Sequence, residues 1–233
     1  MSVSELSTSA QNYLKAVWGL TEWSSNPVTA SLIAERTGLK LSSTSDAVRR
    51  LTAQGLLAHT PYGAVELTEI GRSYALEMVR RHRLIESFLV DVLRYSWDQI
   101  HNEAEILEHA VSDFMIDRID ALLEFPTRDP HGDPIPAADG SIEIPDAKKL
   151  TEVGAGKIVV VERTSDSDPA LLKFFAENGI GVGVRLEVDN GAPFSDALNV
   201  RVGGTGPAVV LGRSASDALY VSVVSLYLAE GAN

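Results

Sequence analysis

ASLIAERTGLKLSSTSDAVRRLTAQGLLAHTPYGAVELT, residues 30–68, carries the reading that decides the fold. Thr29 precedes a short helical run that Gly38 stops, since glycine accepts the left-handed conformation a helix end needs. Ser42 or Ser43 caps a second run over 43–54, closed by Gly55. Leu56–Thr60 and Ala64–Thr68 read as short strands joined by the turn Pro61-Tyr62-Gly63. Upstream, Ser7 to Glu22 sets Tyr13, Leu14, Val17, Trp18 and Leu20 on one apolar stripe. Helix, helix, turn, helix and hairpin in that order predict a winged helix-turn-helix. Its groove-facing set would be Lys40, Ser42, Ser43, Thr44, Ser45, Asp46, Arg49 and Arg50, with Tyr62 in the wing. Hydroxyls and arginines bond phosphates and base edges, while Asp46 suits a cytosine amine. Winged helices also bind proteins, so an interaction module with a structural metal is the alternative of a different class.

Working outward, RRHRLIESFLVDVLRYSWDQIHNEAEILEH (80–109) carries the chemistry. A helix capped by Thr68 is predicted over Glu69–Leu93, another from Asp98 to about Val111, and a third over Ser112–Phe125. Their apolar positions exceed what one domain's core needs, which predicts a symmetric dimer. His82 and Glu86 stand four apart, as do His101 and Glu105, and Glu105 and His109, with Glu108 between. Helical spacing puts each such pair on one face. Imidazoles and carboxylates from two packed helices suit Mn(II), Fe(II), Co(II), Ni(II) or Zn(II). His59 and His131 lack a carboxylate at helical spacing and read as structural.

Residues 125–145, rich in Pro, Gly and Asp, form a loop or linker. Beyond Val153, GKIVVVER, GVGVRLEV, ALNVRV, PAVVLG and ALYVSVV are about five short strands, with one helical segment at Asp168–Gly179. They predict a small barrel. The fold class is mainly α with a small β domain, divided 1–75, 76–145 and 150–233.

The 233 residues include no cysteine, which excludes disulfides, zinc–thiolate sites and a cysteine nucleophile. No apolar run is long enough to span a membrane, and MSVSELSTSAQNYLK lacks the pattern of a secretory leader. A cytoplasmic protein is expected. The net charge is -12. Residues 1–75 carry six basic and six acidic groups, 76–150 eight and sixteen, and 151–233 six and ten. Acid therefore gathers around the ligand cluster, while the helix-turn-helix is neutral. No phosphate-cradling glycine motif and no serine elbow occurs. Ligands packed between helices leave little room for a substrate cleft, so no enzyme is expected.

YLKAVWGL, STSDAVRRLTAQGLL, LTEIGR, RRHRLIESFLVDVL, IHNEAEILEHAVSD and the Gly132–Pro136 segment GDPIP stand in an order that resembles the diphtheria-toxin-repressor family, manganese-responsive branch, across essentially the full length. The resemblance implies an all-helical dimerisation domain and a C-terminal SH3-like, FeoA-like barrel. It implies a regulatory metal site at Asn12, Glu105, Glu108 and His109. It also implies an ancillary site at His82, Glu86 and His101, with Asp166 and Asp168 as candidate additions from the C-terminal domain. Iron-responsive members carry methionine and cysteine where Asn12 and Glu105 stand. Oxygen in place of sulfur favours the harder Mn(II), two ions per subunit, with Fe(II), Co(II) or Zn(II) as alternatives. Binuclear members have a carboxylate where this chain has Lys15, which argues against a closely paired two-metal centre. Arg83 matches an anion-binding arginine whose partner positions here are Asp129 and Asp133. These would repel an anion. The implied function is a Mn(II)-activated repressor of manganese uptake genes. It would bind double-stranded operator DNA as a homodimer, with one dimer or two per operator left open. Without metal, Glu105 and Glu108 are expected to repel one another and leave the first helix loosely held.

Overall fold

The computed structural model describes residues 3–60, 63–204 and 206–224, the side chain of Asp98 excepted. Two compact units divide the chain: one comprises 1–85, 104–127 and 135–142, the other 86–103, 128–134 and 143–233. The predicted Tyr62 contact lies outside the described residues.

The first unit holds the winged helix. After a 3-10 turn at Val3–Glu5, helix α1 spans Thr8–Glu22, with the Ser7 hydroxyl accepting from the Ala10 N–H. Its buried Ala10, Tyr13, Leu14, Val17 and Trp18 recur at three and four, so one face enters the core. Helix α2, Ala30–Thr37, starts at a Thr29 cap and ends at Gly38, whose φ of 66° is left-handed. Helix α3 spans Leu41–Ala53, with Lys40 at the cap position and no side-chain cap bond. The expected Ser42 or Ser43 cap is therefore corrected: both serines already lie inside the first turn. Strands β1 (Leu57–His59) and β2 (Val65–Leu67) pair antiparallel, Leu57 opposite Leu67 and His59 opposite Val65. Leu57 and Val65 point into the same core.

Helix α4, Glu69–Asp91, begins where the Gly71 N–H donates to the Thr68 hydroxyl. Tyr74, Ala75, Leu76, Met78 and Val79 pack into the winged-helix core rather than a core of their own. Helix α5 spans Trp97–Leu107, starting one residue before and ending four residues before the predicted bounds. Glu108 still donates its N–H to Ala104, but a turn follows through Val111. Helix α6, Asp113–Leu122, starts at a Ser112 cap. Ile106, Phe114, Met115, Leu122 and Phe125 of this unit remain exposed.

The second unit centres on a six-stranded antiparallel sheet. Its strands are β3 (Lys148–Lys149), β4 (Lys157–Thr164), β5 (Arg185–Asn190), β6 (Leu198–Val202), β7 (Val209–Leu211) and β8 (Leu219–Val223). Their order is β3-β8-β4-β5-β6-β7, so β8 returns between β3 and β4. Alternate residues such as Val159, Val161, Leu186, Val188, Val200 and Val221 fill one apolar core. Two features exceed the sequence reading. The strand β3 escaped it because two lysines carry no β signature. Short helices α7 (Leu150–Val153) and α9 (Arg213–Asp217) join the expected α8 (Pro169–Glu177). Among the described residues no helix is long and apolar enough to cross a membrane.

Candidate metal centres

The first centre lies wholly in the first unit, between α1 and the turn after α5. Gln11, Asn12 and Lys15 share one face of α1 because they differ by three and four. Gln11 donates its Nε2 to the carbonyls of Val3 (2.9 Å) and Leu6 (3.2 Å), which leaves Oε1 as an acceptor. That oxygen lies 2.6 Å from His109 Nδ1. Nδ1 must then carry the proton, and Nε2 presents its lone pair 3.5 Å from Glu108 Oε1. Burial lowers the His109 pKa below its usual 6.5, and Lys15 and His82 act the same way against Glu108 and Glu105, so the ring is neutral at pH 7. A neutral imidazole fixed in one tautomer is the ligating form.

Glu108 is fully buried and would be costly alone. Its Oε1 and Oε2 lie 2.6 and 2.9 Å from Lys15 Nζ. Lys15 also reaches Glu105 Oε1 at 2.5 Å and His82 Nδ1 at 3.4 Å. His82 Nδ1 is in turn 2.5 Å from Glu108 Oε2. His82, Glu105 and Glu108 each place a ligand atom within 4.8 Å of the others. The expectation of mutual repulsion is thereby corrected: the single Lys15 ammonium lies against both carboxylates, offsets one of their two charges and ties α1 to them. Asn12 Oδ1 is buried with no hydrogen-bond partner among the described residues. The structure thus gathers His82, Glu105 and Glu108 around the Lys15 ammonium and sets His109 Nε2 beside Glu108, while Asn12 offers an unpaired oxygen on the same α1 face; oxygen and imidazole donors of this kind fit a hard divalent ion.

The second centre lies in the second unit. Glu86, on the last turns of α4, is buried, and its Oε1 lies 3.4 Å from His101 Nδ1 on α5. His101 Nδ1 is also 3.4 Å from Asp166 Oδ2, in the loop after β4. Glu86, His131 and Asp166 bring ligand atoms within 4.8 Å of one another. Burial and Glu86 act to raise the Asp166 carboxyl, but His101, His131 and Arg163 outweigh them and hold it below the usual range, so it stays ionised. His131 is the residue sequence reasoning missed. It is fully buried, and both ring nitrogens lack a hydrogen-bond partner among the described residues. Its loop is stitched to β4. The Thr164 N–H donates to the His131 carbonyl at 2.8 Å, and Arg163 Nε reaches Asp133 at 2.5 Å. Asp129 Oδ1 accepts from the N–H groups of His131 (2.9 Å) and Asp133 (2.8 Å). An edge-on Trp97 ring, 5.9 Å away, fixes the imidazole. Two orphan nitrogens beside two carboxylates fit a divalent cation.

Asp168 is corrected. Its Oδ1 accepts from the N–H groups of Ala170 (2.9 Å) and Leu171 (3.3 Å), capping α8, and is spent there. Arg83 donates to both oxygens of Glu22, at 2.8 and 2.6 Å, which occupies the guanidinium face an anion would use.

On the candidate DNA face, Lys40, Ser42, Ser43, Ser45, Asp46, Arg49 and Arg50 are exposed. Thr44 is corrected: it is fully buried, on the inward stripe with Ala47, Val48 and Leu51. Ser45 donates its hydroxyl to the Leu41 carbonyl at 2.8 Å, and Arg49 pairs with Asp46 at 2.8 Å.

Three family models match in series: the iron dependent repressor N-terminal DNA binding domain at 5–65, the iron dependent repressor metal binding and dimerisation domain at 68–137, and the FeoA domain at 148–223. The iron-dependent repressor IdeR of Mycobacterium tuberculosis is 36% identical over 169 residues, 68% of this chain and 72% of that protein. A diphtheria toxin repressor of Corynebacterium efficiens is 28% identical over 200 residues, 80% of this chain and 85% of that one. Among solved structures, a manganese-dependent transcriptional repressor in complex with manganese matches with a TM-score of 0.87 and 47% identity, covering 92% of this chain and 100% of that chain. With its three domains matched in sequence and relatives aligned over most of their length, the chain belongs to the diphtheria-toxin-repressor family of metal-dependent transcriptional repressors.

Proposed function

We propose that this chain is a Mn(II)-activated repressor that binds operator DNA as a homodimer in the cytoplasm, with manganese-uptake genes as its targets. The observation that carries the metal assignment is the donor set of the first centre: Asn12, Glu105, Glu108 and His109 supply oxygen and imidazole, and the chain has no cysteine. Hard donors favour Mn(II) over softer ions. The 47% identity to a manganese-dependent repressor supports the same choice. A divalent ion bound there would supply two charges and ligand bonds to groups on α1, on the last turn of α5 and on the turn after it. The chain's own part is to hold those groups: Gln11 fixes the His109 tautomer, and burial of Glu108 keeps one carboxylate in place. In the second centre Glu86, His101, His131 and Asp166 would hold a second ion.

The division into 1–75, 76–145 and 150–233 follows the three functions of DNA contact, dimerisation and barrel. The exposed Ile106, Phe114, Met115, Leu122 and Phe125, all in or beside α5 and α6, support the dimer as the apolar side chains a second copy would cover. Two recognition helices related by a twofold axis would enter successive major grooves. Fluorescence anisotropy of a labelled operator against free Mn(II) tests the reading. Affinity should rise at least tenfold between EDTA and saturating Mn(II), and equal affinities would refute it. The second reading, activation by Fe(II), is favoured by the 36% identity to an iron-dependent repressor. The same titration with Fe(II) under anaerobic conditions separates the two by rank order.

A further inference from the structure

We propose that Lys15 is a tethered cation that permanently fills one of two cation positions in the first centre, so that this centre takes a single divalent ion. The inference rests on the reading that Asn12, Glu105, Glu108 and His109 hold metal. Two positions can be traced among the side chains. One is bounded by His82, Glu105 and Glu108, whose ligand atoms lie within 4.8 Å of one another. The other is the proposed metal position, where His109 Nε2 lies 3.5 Å from Glu108 Oε1 and Asn12 offers a buried oxygen from the α1 face that carries Lys15. The Lys15 ammonium sits at the first, 2.5 Å from Glu105, 2.6 Å from Glu108 and 3.4 Å from His82 Nδ1. It contacts neither Gln11 nor His109 within hydrogen-bonding distance in any described bond, and the second position keeps its orphan Asn12 oxygen.

Charge decides the consequence. Two carboxylates shared by two divalent ions leave a net of two positive charges. Shared by one ammonium and one divalent ion, they leave one, a smaller cost in a place where Glu108 has no solvent exposure. Lys15 is itself only 17% exposed, so water screens this pairing weakly. Lys15 also acts before any metal arrives. It holds α1 to Glu105 and Glu108 in the metal-free chain, so a metal ion tightens an existing tie rather than creating one.

The test compares full-length wild type, Lys15→Glu and Lys15→Met. After removal of metal with EDTA, saturation with Mn(II) and gel filtration, bound manganese is counted by mass spectrometry and its environment read by electron paramagnetic resonance. Lys15→Glu should retain one more Mn(II) per chain than wild type. Its ions should show exchange coupling through shared carboxylates, which wild type lacks. Equal counts in folded Lys15→Glu and wild type overturn the proposal. Lys15→Met in EDTA provides an arm independent of metal. Its melting temperature should fall by about 5 °C or more, because Glu108 is left buried and unpaired. An unchanged metal-free melt also overturns the proposal. A wild type that binds no Mn(II) at Asn12, Glu105, Glu108 and His109 would sink the functional reading instead, and the EDTA melts would still decide the role of Lys15.

Discussion

Gln11 shows how one side chain sets the chemistry of another. Both of its Nε2 bonds go to backbone carbonyls, so its amide cannot flip without losing them. The fixed Oε1 then dictates which His109 nitrogen carries hydrogen. Gln11→Leu removes that acceptor while keeping bulk. We expect Mn(II) affinity to fall by about tenfold to a hundredfold, the usual cost of losing a partner behind a histidine ligand, with the circular dichroism unchanged. Isothermal titration in the presence of a competing chelator measures it, and an affinity within twofold of wild type would refute the assignment. Glu105 tests the metal preference at the same scale. Glu105→Cys exchanges a hard oxygen for a soft thiolate, and the rank order of activating metals should move toward Fe(II), Co(II) or Zn(II). An unchanged order in metal titrations would show that selectivity resides elsewhere.

At the scale of elements, the segment 128–134 illustrates what a loop needs to act as scaffold. Gly132 has a φ of +88°, and a Cβ there would collide with the Glu162 carbonyl of β4. Only glycine allows the loop to lie this close, and that closeness buries His131 beside Asp166. Gly132→Ala should cost about 1–3 kcal/mol and loosen the second centre, since both the backbone conformation and the approach are disturbed. Chemical denaturation of the metal-free chain, followed by a manganese count, checks both effects. The same segment marks where the sequence stopped being legible. Helices α1 to α6 could be read because their stripes repeat at three and four, and His82, Glu86, His101, Glu105, Glu108 and His109 could be singled out for the same reason. His131 obeys no helical spacing. It meets its carboxylates through a loop–strand contact that only the assembled sheet creates, so periodicity had no means of finding it. Thr44 failed in the opposite sense. A hydroxyl near the start of a recognition helix suggests DNA, but its spacing from Ala47, Val48 and Leu51 already placed it on the buried stripe. Lys15 was recognised as a departure from the binuclear pattern, yet its reach to Glu105 and Glu108 depends on how α1 lies against the turn after α5.

For the whole molecule, the question is how much of the metal chemistry depends on the C-terminal sheet. Asn12, Glu105, Glu108 and His109 belong to the first unit, together with the exposed apolar residues assigned to the dimer. Of the second centre, Asp166 alone comes from residues 150–233, but the segment carrying His131 is held by Glu162, Arg163 and Thr164 of β4. Deleting residues 150–233 therefore removes one ligand and frees another. The truncated chain should keep its dimer in analytical ultracentrifugation and lose one bound Mn(II) per chain. It should still bind the operator when metal fills the first centre, at a higher Mn(II) threshold. Asp166→Ala in the full chain should reproduce the lost ion with the sheet intact, which separates ligand loss from collapse of the unit. A truncated chain with full manganese content would place the second ion elsewhere. A monomeric one would show that the apolar face on α5 and α6 does not suffice for association.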